Sequence, residues 1–131
     1  MNPNNKKTVF LLEDDESFAI VFARWLKERG YEVKLARSEE EARKHLQKIE
    51  PPSLFWFDYY LGEQKTVEEL LKMLHENERF KSIPIIIVSI TVDMQKLGEL
   101  KKYGNIEVFS KLLTNREEIL QAVDRMTGNR N

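Results

Sequence analysis

Short apolar segments recur along the chain, and a helical pattern follows each of them. Residues 9–12, 54–57 and 84–88 are wholly apolar, as in strands that are buried on both faces of a parallel sheet. Residues 31–35 alternate apolar and charged side chains, which is typical of a less buried strand near a sheet edge. With a further short run at residues 106–109, the pattern predicts five strands.

Helical spacing separates these strands. Residues 18–25 place apolar side chains at the i, i+3, i+4 and i+7 positions, which predicts a first helix over about residues 17–29. Three later stretches, beginning at Ser38, Thr66 and Thr114, match capping boxes, in which a hydroxyl and a later Glu satisfy amides at a helix start. A less regular helix is predicted over residues 91–103.

The strict alternation of strand and helix predicts a doubly wound α/β fold. We expect a (βα)5 three-layer sandwich in which a parallel sheet of order 2-1-3-4-5 lies between helices joined by right-handed crossovers. Residues 1–131 are expected to form a single domain, with its core at about residues 7–126.

Composition narrows the function classes. The 21 basic and 22 acidic side chains give a net charge of -1, so no overall attraction to nucleic acid or an anionic membrane is expected. The chain has no cysteine, which excludes disulfides and thiol catalysis. The first apolar run is too short for a signal sequence or a membrane span, which predicts a cytoplasmic protein.

The candidate chemistry lies where the strands end. Glu13 and Asp14 follow the first strand, Asp58 ends the third, Ser89 the fourth and Lys111 the fifth. Strands one and three are neighbours in the predicted order, so their three carboxylates should converge at one edge of the sheet. Clustered carboxylates repel each other unless a cation joins them, and an oxygen-rich site with few protein ligands suits Mg²⁺.

A carboxylate, a lysine and a hydroxyl together suit phosphoryl transfer. A carboxylate such as Asp58 can accept a phosphoryl group, while Lys111 and Ser89 neutralise charge on the transferred oxygens. The sequence therefore predicts Asp58 as the nucleophile, with Lys111 and Ser89 assisting it.

These motifs, in this order, resemble the receiver domain of bacterial two-component response regulators. The resemblance rests on residues 11–16, Asp58, Ser89 after its apolar strand, and Lys111 seven residues after Gly104, and it extends over about residues 7–126. It implies a flavodoxin-like fold and a signalling domain, not an enzyme, that assists its own phosphorylation and dephosphorylation.

The resemblance also implies roles and partners. Asp58 would take a phosphoryl group from a sensor histidine kinase or a phosphotransfer protein, and would then change binding to a downstream protein. Glu13, Asp14, Asp58 and the Tyr60 carbonyl would hold Mg²⁺, while Tyr60 and Thr91 match positions that tune phosphate loss. Direct binding to nucleic acid or membrane is not expected, and a weak homodimer is left open.

Four positions depart from the family pattern. Gly62 and Leu112 stand where receiver domains usually have proline, and Ile90 stands where a small residue is usual. Val108 occupies the usual place of an aromatic that moves inward with the switch hydroxyl. Phe109 should lie on the opposite face of the strand, so it is not expected to replace that aromatic.

Two other functions are compatible with these residues. The departures at Ile90, Val108 and Leu112 favour a receiver-like module that docks a partner without phosphorylation. The other is a Mg²⁺-dependent phosphatase with an Asp nucleophile, but phosphatases of the haloacid-dehalogenase type need a second acid where Tyr60 stands.

Overall fold

A computed structural model describes residues 6–62, 64–90 and 93–129. The strands are β1 (Thr8–Leu12), β2 (Glu32–Ala36), β3 (Leu54–Asp58), β4 (Ile85–Ser89) and β5 (Ile106–Ser110). The helices are α1 (Glu16–Glu28), α2 (Glu39–Leu46), α3 (Glu68–His75), α4 (Met94–Gly98) and α5 (Arg116–Thr127), and a 3₁₀ helix (Glu99–Tyr103) continues from α4.

The sheet confirms the predicted topology. Its strands are parallel and lie in the order β2-β1-β3-β4-β5. All residues of β3 and β4 are buried, whereas the first four of β2 are exposed or half-buried, as the alternation of residues 31–35 predicts for an edge strand. The two apolar strands therefore form the centre of the fold.

Two apolar clusters cover the two faces of the sheet. One contains Phe55 and Phe57 with side chains of α2 and α3, and the other contains Trp56 with side chains of α1 and α5. Successive side chains of β3 thus lie on opposite faces of the sheet, as the two-residue period of a strand requires. Val108 and Phe109 of β5 also pack against different clusters, which confirms that they lie on opposite faces.

Only one of the three predicted capping boxes begins its helix as expected. Ser38 caps α2, and its hydroxyl accepts the Glu41 amide at 3.1 Å. Thr66 does not cap α3, because its hydroxyl accepts the Glu68 amide two residues later at 3.3 Å. The prediction for Thr114 is also wrong, since its hydroxyl accepts the Ser110 amide at 3.2 Å and Asn115 caps α5 instead.

The fourth helix is shorter than predicted. The α-helical part ends at Gly98, and the chain continues as a 3₁₀ helix until Gly104, which has a φ of 133°. Glycine weakens an α-helix because it gains backbone freedom on unfolding, and 3₁₀ turns are frequent at the ends of α-helices. Residues 91 and 92, where the prediction began, lie outside the described residues.

Within the described ranges, none of the helices combines the length and apolar character that crossing a membrane requires.

Candidate functional site

The loop after β1 places two carboxylates in different surroundings. Glu13 is 1 % exposed, while Asp14 is exposed to solvent. The Glu13 amide donates to the Ala36 carbonyl at 3.1 Å, so β1 and β2 stay paired beyond their last residues. Asp15 then caps α1 by accepting the Phe18 amide at 3.0 Å. The strand and the helix cap together fix the position of the acidic pair.

Lys111 joins the ends of β1, β3 and β5. Its ammonium lies 2.7 Å from Glu13 Oε1 and 3.2 Å from Asp58 Oδ2. The Lys111 side chain is 1 % exposed and Asp58 is 6 % exposed, so these ion pairs are shielded from water. The Lys111 amide also donates to the Ser89 carbonyl at 2.9 Å, which ties the ends of β4 and β5 together. The predicted convergence of strand ends is therefore present.

Burial and a neighbouring negative charge raise the pKa of Asp58. Loss of solvent around the carboxylate is the largest cause, and with the negative charge of Glu13 it raises the pKa of Asp58 from 3.8 to about 8, although Lys111 acts in the opposite direction. At neutral pH, the metal-free site therefore favours a protonated Asp58. A bound cation would favour the ionised carboxylate.

The three acids fit a hard divalent cation. One carboxylate oxygen from each of Glu13, Asp14 and Asp58 lies within 4.8 Å of the others, so a single ion can contact all three. An all-oxygen donor set with one exposed member, Asp14, suits Mg²⁺, which retains several waters. The Tyr60 carbonyl stays a predicted fourth ligand.

A cavity opens to solvent beside the acidic cluster. It is lined by Asp14, Asp15, Asp58, Tyr60, Gly62, Ile90 and Lys111 and has a volume of about 270 Å³. A phosphoryl group has room in this cavity beside the acidic cluster.

Other predicted residues lie at the same edge. Ser89 is buried at the end of β4, and Tyr60 is 40 % exposed at the cavity wall. Thr91 lies outside the described residues. Tyr60 occupies the position at which the phosphatase hypothesis needs a second acid, so the structure supplies no acid at that point of the wall.

The two proline departures have local explanations. Gly62 has a φ of 96°, which the proline ring cannot adopt. The amides of Leu112 and Leu113 both donate to Ser110 Oγ, at 3.2 and 3.1 Å. A proline at position 112 has no amide to donate, so here Ser110 fixes the loop after Lys111.

Arg37 is a further residue of the site, and no sequence motif indicates its role. Its guanidinium donates to the carbonyl of Glu13 at 3.1 Å and to the carbonyl of Asp14 at 3.0 Å, so it holds the main chain of both acids. Arg37 follows the last residue of β2, the strand beside β1. Its position next to the loop after β1 is the sequence feature that could have indicated this contact.

Comparison with known proteins identifies the family. Residues 9–124 match the response regulator receiver domain, and the chain therefore belongs to this family of phosphoacceptor signalling domains. Receiver domains generally bind Mg²⁺ at an acidic pocket and interact with histidine kinases or phosphotransfer proteins. They are signalling domains rather than classical enzymes.

Solved structures support the fold. A receiver domain of a signal transduction histidine kinase from Syntrophus aciditrophicus is 21 % identical, covers 93 % of this chain and 90 % of its own, and has a TM-score of 0.78. A response regulator from Thermotoga maritima is 20 % identical, with 94 % and 98 % covered and a TM-score of 0.78. The chemotaxis response regulator CheY4 of Vibrio cholerae is 22 % identical, with 93 % and 99 % covered and a TM-score of 0.79. No curated protein sequence matches the chain significantly.

Proposed function

We propose that this receiver domain accepts a phosphoryl group on Asp58 from a phosphohistidine of a sensor kinase or phosphotransfer protein, with Mg²⁺ bound at the acidic pocket. The observation that carries the proposal is the buried Asp58 carboxylate, which lies 3.2 Å from the Lys111 ammonium and within 4.8 Å of the oxygens of two further acids. This arrangement supplies a nucleophile, a fixed cation and a metal-binding cluster in one cavity.

The transfer exchanges one bond to phosphorus for another. An ionised Asp58 oxygen attacks the phosphorus, and a P–O bond forms while the P–N bond to the histidine breaks. The electron pair of the broken bond stays on the imidazole, which takes up a proton from solvent. Lys111 stands beside Asp58 Oδ2 and would contact the arriving phosphoryl oxygens, with Ser89 at the next strand end as a hydroxyl donor.

Bound Mg²⁺ would neutralise charge on the phosphoryl oxygens, and Glu13, Asp14 and Asp58 would hold it. The chain itself contributes the position of these ligands. Arg37 fixes the Glu13 and Asp14 main chain, and burial of Glu13 keeps water from competing for Lys111.

An apolar rim supports a protein as the donor. In the part of the chain that the structure describes, the large apolar side chains with high exposure are Ile20, Tyr60, Ile90, Leu112 and Leu113. Tyr60 and Ile90 line the cavity, and Leu112 and Leu113 directly follow Lys111. We call these four side chains the apolar rim. Exposed apolar groups around a polar site favour contact with a protein surface. We therefore assign this rim to the histidine-bearing domain of the donor.

A second function, docking without phosphorylation, is favoured by Ile90. Its side chain is 52 % exposed at the cavity beside Asp58, so it can contact a partner surface whether or not Asp58 carries a phosphoryl group. This alternative predicts that, after treatment with a phosphodonor and Mg²⁺, wild type and Asp58→Asn bind the partner equally well. The proposed function predicts that binding changes when the wild type is phosphorylated.

Trp56 provides a local test. Its ring lies 4.9 Å from Phe22, and Phe22 lies 5.4 Å from Phe18 beside the site. In a Trp25→Phe background, which leaves Trp56 as the single tryptophan, we expect Mg²⁺ and then beryllofluoride to change the fluorescence in two saturable steps. The same titration of Asp58→Asn should lack the beryllofluoride step. Identical responses in both proteins would refute Asp58 as the acceptor.

A further inference from the structure

The ring of Phe18 covers the buried ammonium of Lys111. The Lys111 Nζ lies 4.4 Å from the centre of the ring, within the range of a cation–π contact. Two of its three N–H donors are matched by carboxylate oxygens of Glu13 and Asp58. The aromatic ring is thus a third partner of an ammonium from which water is excluded, where such contacts are strongest.

The ring itself is held from two directions. The Phe18 amide donates to the Asp15 cap at 3.0 Å, which fixes this residue in the first turn of α1. Its ring stacks on Phe22 at 5.4 Å with an interplanar angle of 28°, and Phe22 packs on Trp56. Rotation of the Phe18 ring away from Lys111 would therefore break its stacking on Phe22.

We infer that Phe18 is a positioning residue. It keeps the Lys111 ammonium beside Asp58 when this ammonium exchanges a carboxylate partner for a phosphoryl oxygen. The inference rests on the proposed function, in which Lys111 meets a phosphoryl group. Lys111 contacts Glu13 at 2.7 Å and Asp58 at 3.2 Å, and the proposed contact with phosphoryl oxygens would move its ammonium from the first partner toward the second. The face of an aromatic ring tolerates such a shift, because the contact is less directional than a hydrogen bond.

The helical spacing of residues 18–25 can also explain Phe18 as a residue that only packs against the core. Phe18 is only half-buried, and it does pack against the cluster that contains Trp56. A packing role and a positioning role differ in one respect: only the second depends on the electron density of the ring. Fluorination lowers that density with little change of volume, so it separates the two roles.

The test places mono-, di- and trifluorophenylalanine at position 18 and, as a matched control, at position 22. Phe22 is on the same helix, and its ring partners are Phe18, Trp25 and Trp56. Phosphorylation by acetyl phosphate with Mg²⁺ should slow stepwise with fluorination at position 18, by roughly three- to thirtyfold in total. The same series at position 22 should have little effect.

A second readout needs neither phosphate nor metal. In the unphosphorylated wild type, the ring should shift the Lys111 ε-methylene proton resonances upfield, and Phe18→Leu should abolish this shift. If the wild type is phosphorylated but the fluorinated position 18 variants react at the same rate, the inference is wrong and the proposed function stands. Lys111 proton resonances that do not move in Phe18→Leu would also overturn the inference alone. A wild type that takes up no phosphate would refute the proposed function and the inference with it.

Discussion

Replacing Asp58 by asparagine should stabilise the metal-free protein, and the gain should grow with pH. The carboxylate is buried next to Glu13, which raises its pKa from 3.8 to about 8. The folded protein therefore binds a proton that the unfolded chain has released at neutral pH. The asparagine side chain needs no such proton, so the substitution removes a cost of folding that the site imposes.

The size and sign follow from proton linkage. The interval from 3.8 to pH 7, at 1.36 kcal/mol per pKa unit, corresponds to about 4 kcal/mol at most. Asparagine replaces a protonated carboxyl group whose oxygen lies 3.2 Å from the Lys111 ammonium, and its amide fits this contact less well, so we expect a net gain of about 1–3 kcal/mol. Because the folded pKa is raised, wild-type stability should fall as pH rises through the window from 3.8 to about 8.

Urea denaturation in EDTA, followed by tryptophan fluorescence, measures this difference. We expect the stability of Asp58→Asn minus that of wild type to be small near about pH 5 and larger near about pH 8. Asp14→Asn is the matched control, since Asp14 belongs to the same acidic cluster but is exposed. A difference that stays constant or shrinks with rising pH would show that Asp58 is ionised in the folded state, and the raised pKa would be wrong.

Three further substitutions test separate parts of the account. Ile90→Ala should speed phosphorylation by a small donor severalfold, because it opens the cavity wall; an unchanged rate in stopped-flow fluorescence would contradict this. Arg37→Lys keeps the charge but loses the two-pronged contact with the acidic loop, so calorimetry should show weaker Mg²⁺ binding, by roughly two- to fivefold. Asp124→Asn should destabilise the fold by about 2–4 kcal/mol without affecting phosphorylation, because Asp124 accepts hydrogen bonds from Arg29 and Tyr31 away from the site; urea titration measures the loss.

The fold was predictable because burial and strand period determine it. The apolar residues of β3 and β4 required strands buried on both faces, and their polar ends located Asp58 and Ser89. Helix starts were less predictable, because several hydroxyl and amide groups compete for the same orphan amides. Thr114 and Asn115 are adjacent candidates, and only the contact of Thr114 with Ser110 decides between them.

The site was predictable where a strand end specifies a residue. Asp58 and Lys111 lie at such ends, and their contact follows from the strand order. Phe18 and Arg37 were missed because their roles depend on side-chain direction. The spacing of Phe18 is that of any core residue, and Arg37 acts on carbonyl groups, which leave no trace in a motif.

Phosphorylation of Asp58 can be tested by locating the phosphate on the chain. Wild type and Asp58→Asn are incubated with Mg²⁺ and acetyl phosphate, and intact-mass and peptide analyses follow at low pH, where acyl phosphates persist. We expect one added phosphoryl group on wild type, labile to hydroxylamine, carried by the peptide that contains Asp58 and absent from Asp58→Asn and from samples with EDTA. Unmodified wild type, or equal phosphate on both proteins, would show that Asp58 is not the acceptor.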